Sequence, residues 1–409
     1  MRIAHFSDTY LPTHDGVSHF LSYMGPELAR EGHPVTLFTP GAPGAPHAEE
    51  PFPGFRVVRF PSFALPYYPE YRWSPLPWVV GKGGEGGFDV VHLHTPGPVG
   101  TLGLFSARHW GLPVVGTFHT NLRDMQGSLP DNWLTRGFFR WAWRWNAGVY
   151  ARCDRVTTPE QGGLELLDRE FTRRRAPLET IPHGVDTRRY APGVAGVDWR
   201  SRLGAGERPL VLFLGRWTQD KGVHRFLDAL GELPRALPFL GVLAGQGPES
   251  RSVEERLARE PGLAGRVVSV GAVPEEEKPS LLSQSALFVL PSVADLQPLA
   301  LLEAMSSGAV PVVGSRGGPA RIVKDGECGL LIDPLDREAL TGAIQGLLEE
   351  PARRRSLGRA ARQRVEESYS QAATLRRFLE VYRKVARSEV GLPPGSPGAR
   401  GHPGAVRSP

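Results

Sequence analysis

Two acidic residues eight positions apart, Asp295 and Glu303, have types and spacing that could do chemistry. They lie in residues 291–313, where an apolar run ends at Ser292 and a predicted helix stops at Gly308. A carboxylate accepts hydrogen bonds from neighbouring hydroxyls such as those of a ribose or hexose ring, and a helix N-terminus donates N–H groups to an anion. The segment therefore predicts a site for a ligand that carries both. A helix cap with an ordinary surface acid is the alternative.

Two cations follow the first predicted strand of the second half of the chain, in LFLGRWTQDKG. Arg216 comes just past the strand, and Lys221 follows one turn later. A guanidinium and an ammonium can together hold a diphosphate and offset the charge that develops when it leaves. Two solvated surface cations are the alternative interpretation.

Two further residues stand where predicted strands end. Gly16, in the loop LPTHDGVS, would let a phosphate approach the backbone beside the N-terminus of the next helix. His119, at the end of PVVGTFHT, can hydrogen-bond a hydroxyl or stabilise a developing positive charge. A turn glycine and a structural histidine are the alternatives.

A metal site is not predicted. His92 and His94 share one face of a strand, but no third ligand has a readable spacing. The sequence also lacks an Asp-x-Asp motif. We therefore expect Arg216 and Lys221 to act in the place of a divalent cation.

The helices and strands around these residues must position them. Along the chain, short apolar runs alternate with helical stretches. This pattern is typical of parallel sheets covered on both faces, so the fold class is α/β. The pattern runs from RIAHFS to LETIPHG and begins again at PLVLFLGR, which predicts two doubly wound domains with a boundary near residues 185–197. Ligands of such sheets bind beyond the carboxyl ends of the strands.

Some stretches depart from the pattern. The first helix should run over residues 17–30, but Gly25-Pro26 should kink it or end it early. Residues 39–54 and 81–87 are predicted loops, rich in glycine and proline.

Two aromatic segments of the first half could serve an acceptor. Residues 61–78 are rich in aromatic residues and proline, and WLTRGFFRWAWRWNAGVYARCDR interleaves arginines with aromatics. Such segments can lie on an anionic membrane surface. We favour core packing for the second segment because it directly precedes a strand.

Composition bounds the function classes. The chain has 409 residues, 40% hydrophobic and 22% charged, which suits two or three globular domains. The net charge of +5 suits an acidic partner such as nucleic acid, anionic lipid or a phosphate-bearing substrate, but it is too small to select one, and we expect no nucleic acid. Cys153 and Cys328 have no metal or disulfide spacing, which favours a reducing cytosol. The start lacks the apolar core of a signal peptide, and no run approaches a membrane-spanning length.

The order of motifs resembles that of a known family. GVS, GTFHT, IPHGVD, GRWTQDKG, AGQGP, ADLQPLALLEAMSSG and RGGPARIVKDGECGLL together resemble the retaining glycosyltransferases of the GT-B fold, of the family 4 and group 1 type. DTYLPTHDGVSHFL and TFHT are most similar to the branch of lipid mannosyl-, sulfoquinovosyl- and glucosyltransferases. The resemblance implies two Rossmann-like domains that face a cleft. The expected parts are an acceptor-side domain (1–188), a nucleotide-sugar domain (198–368), a helix returning to the first domain (369–387) and a disordered tail (388–409).

The resemblance also implies the site. The implied catalytic residues are His119, Arg216, Lys221 and Asp295. The implied donor-binding residues are Gly16 and Val17 near the phosphates, Arg216 and Lys221 on the diphosphate, Asp295 at the sugar hydroxyls, Glu303 on the ribose, and Val273, Gln297, Pro298 and Leu299. The family usually has Glu in place of Asp295 and Phe-Gly in place of Gln297-Pro298, and this departure leaves the donor preference open.

The implied activity is metal-independent transfer of a hexose, with retention, from a GDP-mannose or UDP-glucose type donor to a lipid or glycan hydroxyl. No cofactor is expected, and the expected location is the cytosol, at the inner face of the membrane for a lipid acceptor. A nucleotide-sugar epimerase of similar fold and a non-catalytic sugar-binding protein are the alternatives. A dinucleotide oxidoreductase is disfavoured because the first loop lacks the Gly-x-Gly-x-x-Gly turn.

Overall fold

The computed structural model describes residues 1–13, 15–65, 68–75, 87–119, 133–170, 176–293, 295 and 297–388. The strands of the first half are β1 (Ile3–Phe6), β2 (Val35–Pro40), β3 (Ala48–Phe52), β4 (Phe55–Phe60), β5 (Phe63–Leu65), β6 (Tyr68–Trp73), β7 (Val90–Leu93), β8 (Val114–Thr117), β9 (Arg155–Thr158) and β10 (Leu178–Thr180). Those of the second half are β11 (Leu210–Leu214), β12 (Leu240–Ala244), β13 (Val267–Gly271), β14 (Ser285–Leu290), β15 (Val310–Gly314) and β16 (Leu330–Ile332).

The described helices cover these strands. They are α1 (Gly16–Arg30), α2 (Pro98–Trp110), α3 (Trp133–Tyr150), α4 (Gln161–Glu170), α5 (Trp199–Arg202), α6 (Val223–Glu232), α7 (Ser250–Arg259), α8 (Lys278–Gln284), α9 (Leu299–Ser306), α10 (Pro319–Ile322), α11 (Arg337–Glu349), α12 (Pro351–Ser368) and α13 (Gln371–Ser388).

Each half builds one main sheet. The first has the order β10-β9-β8-β7-β1-β2-β4-β3, parallel except for β3 against β4. The second has the order β13-β12-β11-β14-β15-β16 and is parallel throughout. Central strands such as β11 are buried along their whole length because helices pack on both faces. The predicted α/β class with two doubly wound parallel sheets is confirmed.

The strand order reverses at one point in each sheet. In the first sheet this point lies between β1 and β7, and in the second it lies between β11 and β14. The loops that leave neighbouring strands at such a point diverge and open a crevice for a ligand. The predicted residues Gly16, Arg216 and Asp295 all follow one of these strands.

Helix α1 corrects the expectation of an interruption at Gly25-Pro26, because it is helical from Gly16 to Arg30. A proline inside a helix costs about 3 kcal/mol, but here the helix buries an apolar face that includes Phe20 and Leu28. Gly25 is required by packing, since a Cβ atom there would collide with the ring of Phe55 in β4. Tertiary contact thus outweighs the local signal.

The predicted loops also need correction. β2 ends only at Pro40, and β3 (Ala48–Phe52) lies inside the stretch 39–54 that was expected to be a loop. Its sequence AEEPF has no apolar alternation, and it forms as an edge strand because β4 offers a partner. The β5–β6 hairpin was not predicted either. Residues 81–86 and 389–409, within the second predicted loop and the predicted tail, lie outside the described residues.

Helix α3 divides its aromatic side chains between core and surface. Trp143 and Tyr150 are buried, and each makes an edge-to-face contact with Phe118. Trp141 and Trp145 are exposed and stack with 5.9 Å between ring centroids. The expectation of core packing is therefore correct for one face only. None of the described helices has both the length and the apolar character that a membrane crossing needs.

The chain passes between the two sheets twice, and the two passages are hydrogen-bonded to each other. The Val185 N–H donates to the Tyr369 carbonyl at 2.8 Å, and the Gln371 N–H donates to the Val185 carbonyl at 3.0 Å. Gly184 leaves no room for a Cβ atom against Gln371. After this contact, α13 packs Phe378 and other apolar side chains into the core beside α1 and β1.

Buried imidazoles form a continuous hydrogen-bonded series through the first sheet, which we call the histidine row. Along it the rings of His183, His119, His94 and His5 follow one another at 3.0, 3.1 and 3.2 Å, and the series continues through the Tyr382 hydroxyl to His92. Burial lowers the pKa of His5 to about 3, and burial together with His19 lowers the pKa of His183 to about 4. The row is therefore neutral at physiological pH.

The histidine row predicts acid-sensitive stability. Histidines in the unfolded chain bind protons below about pH 6.5, whereas the folded rings stay neutral to a lower pH. The contribution of the row to the free energy of unfolding is therefore fully present above about pH 6.5 and decreases as the pH falls toward 4. Each proton taken up on unfolding contributes about 1.4 kcal/mol per pH unit, and His5 and His183 together give about twice that slope. Urea unfolding between pH 7.5 and 5 measures it.

His5→Gln should reduce the slope by about one proton, whereas His109→Gln, on the exposed face of α2, should leave it unchanged. An unchanged slope in His5→Gln would contradict the assignment.

Candidate active site

Asp295 and Lys221 meet at the crevice of the second sheet. Lys221 follows β11, Asp295 follows β14, and the lysine ammonium contacts Oδ1 of the carboxylate. The aspartate side chain is 7% exposed, and its Oδ2 has no hydrogen-bond partner among the described residues. Lys221 therefore offsets the buried charge, while Oδ2, which is itself buried, lacks a hydrogen bond of the kind that a ligand hydroxyl could donate.

The loop that carries Asp295 is held against the sequence motif RGGP. The Asp295 carbonyl accepts a hydrogen bond from the Gly318 N–H at 2.7 Å. Gly317 adopts φ +67°, and a Cβ atom there would collide with the same carbonyl. This explains the paired glycines, because only glycine combines that backbone conformation with so close an approach.

Arg216 is placed differently from Lys221. It lies just past β11 and is exposed, and no carboxylate pairs with it among the described residues. Its guanidinium is consequently available to an anion, while Lys221 must be shared with Asp295.

Glu303, on the first turns of α9, is buried in a small charged network. Its carboxylate oxygens lie 3.2 and 3.3 Å from Nζ of Lys278, which also lies 2.9 Å from Glu275. The Tyr190 hydroxyl donates to Glu275 at 2.9 Å, and Nζ of Lys278 lies 5.7 Å from the centre of the tyrosine ring. Burial raises the pKa of Glu303, and Lys278 opposes that shift. A carboxylate here has a strong need for hydrogen-bond donors such as ribose hydroxyls.

A cleft of about 520 Å³ separates α1 of the first half from α9 of the second. Glu303, Leu299 and Tyr190 line it from one side, and His19 and Tyr23 of α1 line it from the other. The structure thus brings together parts of both halves, as the resemblance implied.

The remaining phosphate-site candidates lie at the start of α1. Asp15 caps the helix by accepting from the Ser18 N–H at 2.7 Å, and the space beside Gly16 is open. Val17 points its side chain into the core, so only its backbone could serve a ligand. Val273, beyond β13, is half-buried and packs against the second core.

Gln297 joins the two halves. Its side-chain carbonyl accepts from the His183 N–H at 3.0 Å, and its amide nitrogen donates to the His183 carbonyl at 2.9 Å. Pro298 is the N-cap residue of α9, where the missing N–H costs no helical hydrogen bond. The loop that carries Asp295 is therefore tied to the end of the first sheet.

His119 reaches the same region, but both of its ring nitrogens are occupied. Nδ1 lies 3.0 Å from His183 Nε2, and Nε2 lies 3.1 Å from His94 Nδ1. Burial and the neighbouring His183 hold the pKa of His119 well below its usual range. To bond a sugar hydroxyl, the ring would have to exchange one of these partners.

The pair His92 and His94 does have a third neighbour, since His5 of β1 places its ring beside them. One nitrogen from each of the three rings lies within 4.8 Å of the others. Spacing along the chain could not show this neighbour, because His5 comes from a parallel adjacent strand. The same nitrogens already serve the hydrogen bonds of the histidine row.

Sequence reasoning missed Lys278, Glu275 and His183 as site residues. His183 ends the predicted strand LETIPHG, so the rule of strand ends could have found it. Lys278 follows three glutamates and resembles an exposed helix start, and no sequence pattern indicates its contact with Glu303.

Comparison with known proteins identifies the family. The family described as Glycosyltransferase Family 4 matches residues 14–189, and Glycosyl transferases group 1 matches residues 198–364. A GDP-mannose-dependent alpha-mannosyltransferase of Corynebacterium glutamicum is 28% identical over 86% of this chain and 81% of its own length. A GDP-mannose-dependent alpha-(1-6)-phosphatidylinositol monomannoside mannosyltransferase of Mycolicibacterium smegmatis is 29% identical over 87% of this chain and 91% of its own.

Solved structures show the same fold. Sucrose-phosphate synthase of Thermosynechococcus elongatus has a TM-score of 0.70 at 23% identity, covering 95% of this chain and 99% of its own. Anabaena HepE in complex with UDP has a TM-score of 0.69 at 18% identity, covering 94% and 99%. With two parallel sheets that face one cleft and with both family matches in sequence, the chain belongs to the GT-B glycosyltransferases of the family 4 and group 1 type.

Proposed function

We propose that this glycosyltransferase moves a mannose-type hexose from GDP-mannose to a hydroxyl of a lipid or glycan acceptor, with retention and without a metal ion. The observations that carry the proposal are the cleft in which Glu303 faces α1 and the Asp295–Lys221 pair, whose aspartate precedes α9, the helix that carries Glu303. Its donor is inferred from relatives that are named as GDP-mannose-dependent. The proposed reaction uses no cofactor, and the nucleotide sugar is one of its substrates.

The donor would lie across the cleft with its charges matched to the residues. Glu303 accepts hydrogen bonds from the ribose hydroxyls, and the diphosphate meets Arg216, Lys221 and the first N–H groups of α1 at Gly16. Oδ2 of Asp295 accepts a hydroxyl of the transferred sugar. The remaining donor contacts on the second half come from Val273, Gln297, Pro298 and Leu299.

The chemistry then needs charge stabilisation more than a nucleophile. The bond between the anomeric carbon and the diphosphate oxygen breaks, and the acceptor oxygen bonds to that carbon on the same face. The acceptor proton passes to the departing phosphate oxygen. Arg216 and Lys221 offset the charge that grows on the diphosphate, which is the role a divalent cation would otherwise take. His119 lies beside the sugar and would exchange its bond with His183 for one to the sugar.

Water must be kept from the same reaction, and the contact between the halves serves this end. Gln297 binds the backbone of His183, and Arg321 of α10 pairs with Glu160 of the first half at 2.8 Å. These contacts hold the loop that carries Asp295 and Gln297 against the first half of the chain, where the acceptor is expected to bind.

Nucleotide binding tests the donor assignment. GDP at ~100 times its dissociation constant should stabilise the protein by about 2.7 kcal/mol, and a chelator should not change this. Thermal unfolding with GDP, UDP, ADP and NAD, each with and without chelator, measures the effect. A shift with UDP alone would mean that the donor carries uracil in place of guanine. A shift that a chelator removes would contradict metal independence. A shift with NAD alone would overturn the transferase proposal.

Asp295→Ala should abolish sugar transfer and leave the GDP-induced shift in Tm intact, because the carboxylate is assigned to the sugar and not to the nucleotide. Transfer is followed as GDP release that depends on acceptor. Asp333→Ala is the control, since Asp333 is exposed and pairs with Arg316 at 3.3 Å. Equal turnover by Asp295→Ala and the parent protein would rule out this role.

Glu303→Gln should weaken GDP binding roughly tenfold, since a hydrogen bond to a charged acceptor is lost. The protein should stay folded, because the amide has the same size as the carboxyl group and Lys278 keeps Glu275 as its counter-ion at 2.9 Å. Calorimetric titration with GDP measures the affinity, with Glu276→Gln at the neighbouring exposed position as control. Unaltered affinity in Glu303→Gln would place the ribose elsewhere.

A further inference from the structure

A second cavity, of about 280 Å³, adjoins the cleft on the side of the first sheet. It lies beyond the carboxyl ends of β1, β2 and β4, where parallel sheets bind ligands. Tyr10 and Leu11 line both this cavity and the cleft, so residues 9–13 form the partition between them. None of the roles assigned above uses it.

Arg59 supplies one wall of this cavity. Its side chain is only 6% exposed, and its guanidinium donates to Glu49 at 2.9 Å and to the Leu11 carbonyl at 3.1 Å. The guanidinium carbon lies 5.7 Å from the centre of the Tyr10 ring. Arg59 is therefore fixed in place, with its charge offset by Glu49, and it links the partition to β4.

Arg72 on β6 supplies a second guanidinium, and its charge is not offset. It donates to the hydroxyl and the carbonyl of Ser62 at 2.9 and 2.8 Å, and that hydroxyl donates to the Gly41 carbonyl at 2.7 Å. These acceptors are neutral, and no carboxylate pairs with Arg72 among the described side chains. A half-buried guanidinium held in this way favours an anion.

Thr39 provides an independent indication of a ligand. It is fully buried and lines the cavity, and its hydroxyl has no hydrogen-bond partner in the described part of the chain. A buried hydroxyl without a partner is costly, so a bound group that meets it would restore the loss.

Asp8 also lines the cavity, but its carboxylate is engaged on the opposite side. Oδ1 accepts from the Val99 N–H at 2.7 Å, and Oδ2 accepts from the Thr95 hydroxyl at 2.6 Å. Its charge thus lies at the N-terminus of α2, which favours an anion there. Arg72 is therefore the charged side chain of this cavity that has no counter-ion among the described residues.

We propose that this cavity binds the anionic group of the acceptor, a phosphate or phosphate ester, between Arg72 and the Thr39 hydroxyl. This proposal rests on the proposed function, which it deepens by naming the acceptor as a phosphorylated polyol or the phosphate head of a lipid. The volume of about 280 Å³ is at the lower end for small-molecule sites, which suits a head group rather than a whole lipid. Because Tyr10 and Leu11 border both spaces, a head group held in this cavity would lie beside the cleft proposed for the donor.

The test uses GDP-saturated protein, so that the diphosphate site is filled and added anion reports on the second cavity. Inorganic phosphate and glycerol 3-phosphate should raise Tm relative to chloride and glycerol at equal ionic strength. Arg72→Ala should weaken the apparent affinity roughly tenfold, and Arg72→Lys should retain part of it. Arg56→Ala, at an exposed position of β4, is the matched control and should behave as the parent protein.

The outcomes separate this proposal from the proposed function. A normal GDP shift with no phosphate effect, or with equal phosphate effects in Arg72→Ala and the parent, overturns the anion site and leaves the donor assignment standing. A missing GDP shift counts against the donor assignment, and phosphate then tests the cavity without nucleotide. Flotation with phosphatidylcholine vesicles, with and without phosphatidylglycerol, distinguishes a lipid head group from a free phosphate ester through its dependence on Arg72.

Discussion

The side-by-side passage of the chain at Val185 and Ser370 is the constraint on which the arrangement of the two halves depends. The two segments pair as a short parallel bridge, and α13 then returns to the first core. Residues of both passages, Gly184, Val185 and Gln371, also line the cleft between α1 and α9. The loop that carries Asp295 and Gln297 contacts His183 only a few residues from this passage. A side chain at position 184 would collide with Gln371 and alter that geometry.

Each of the two buried carboxylates in the candidate donor site has a lysine as its counter-ion. Asp295 has Lys221, and Glu303 has Lys278, so neither buried carboxylate depends on a ligand for a counter-charge. Removing one member of such a pair leaves an uncompensated charge, which is far more costly than the pair is stabilising. Both lysines are therefore held in place by carboxylates of the protein itself.

Much of the fold could be predicted from the sequence, because the parallel strands are continuous apolar runs and the loops after them carry the polar residues. The strands that were missed, β3 and the β5–β6 hairpin, lack that pattern and form on a partner strand. In the site, Asp295 and Glu303 were identified by spacing within one segment. Lys221 was identified as a cation, but its pairing with Asp295 was not predicted, because the two are 74 residues apart and only the folded sheet brings them together. Lys278 was missed altogether. His5 escaped notice for the same reason.

The histidine row has a property that no single ring possesses. A neutral imidazole carries one N–H and one acceptor nitrogen, so the choice made at one ring dictates the choice at the next. The four rings from His183 to His5, with all three hydrogen bonds kept, can hence adopt only two orders, which run in opposite directions. Reversal relocates protons and leaves every heavy atom in place. The outward nitrogen of His183 would thereby change from acceptor to donor, so the polarity of this end of the first sheet is coupled to the order at His5 of β1, where the Tyr382 hydroxyl can either donate or accept.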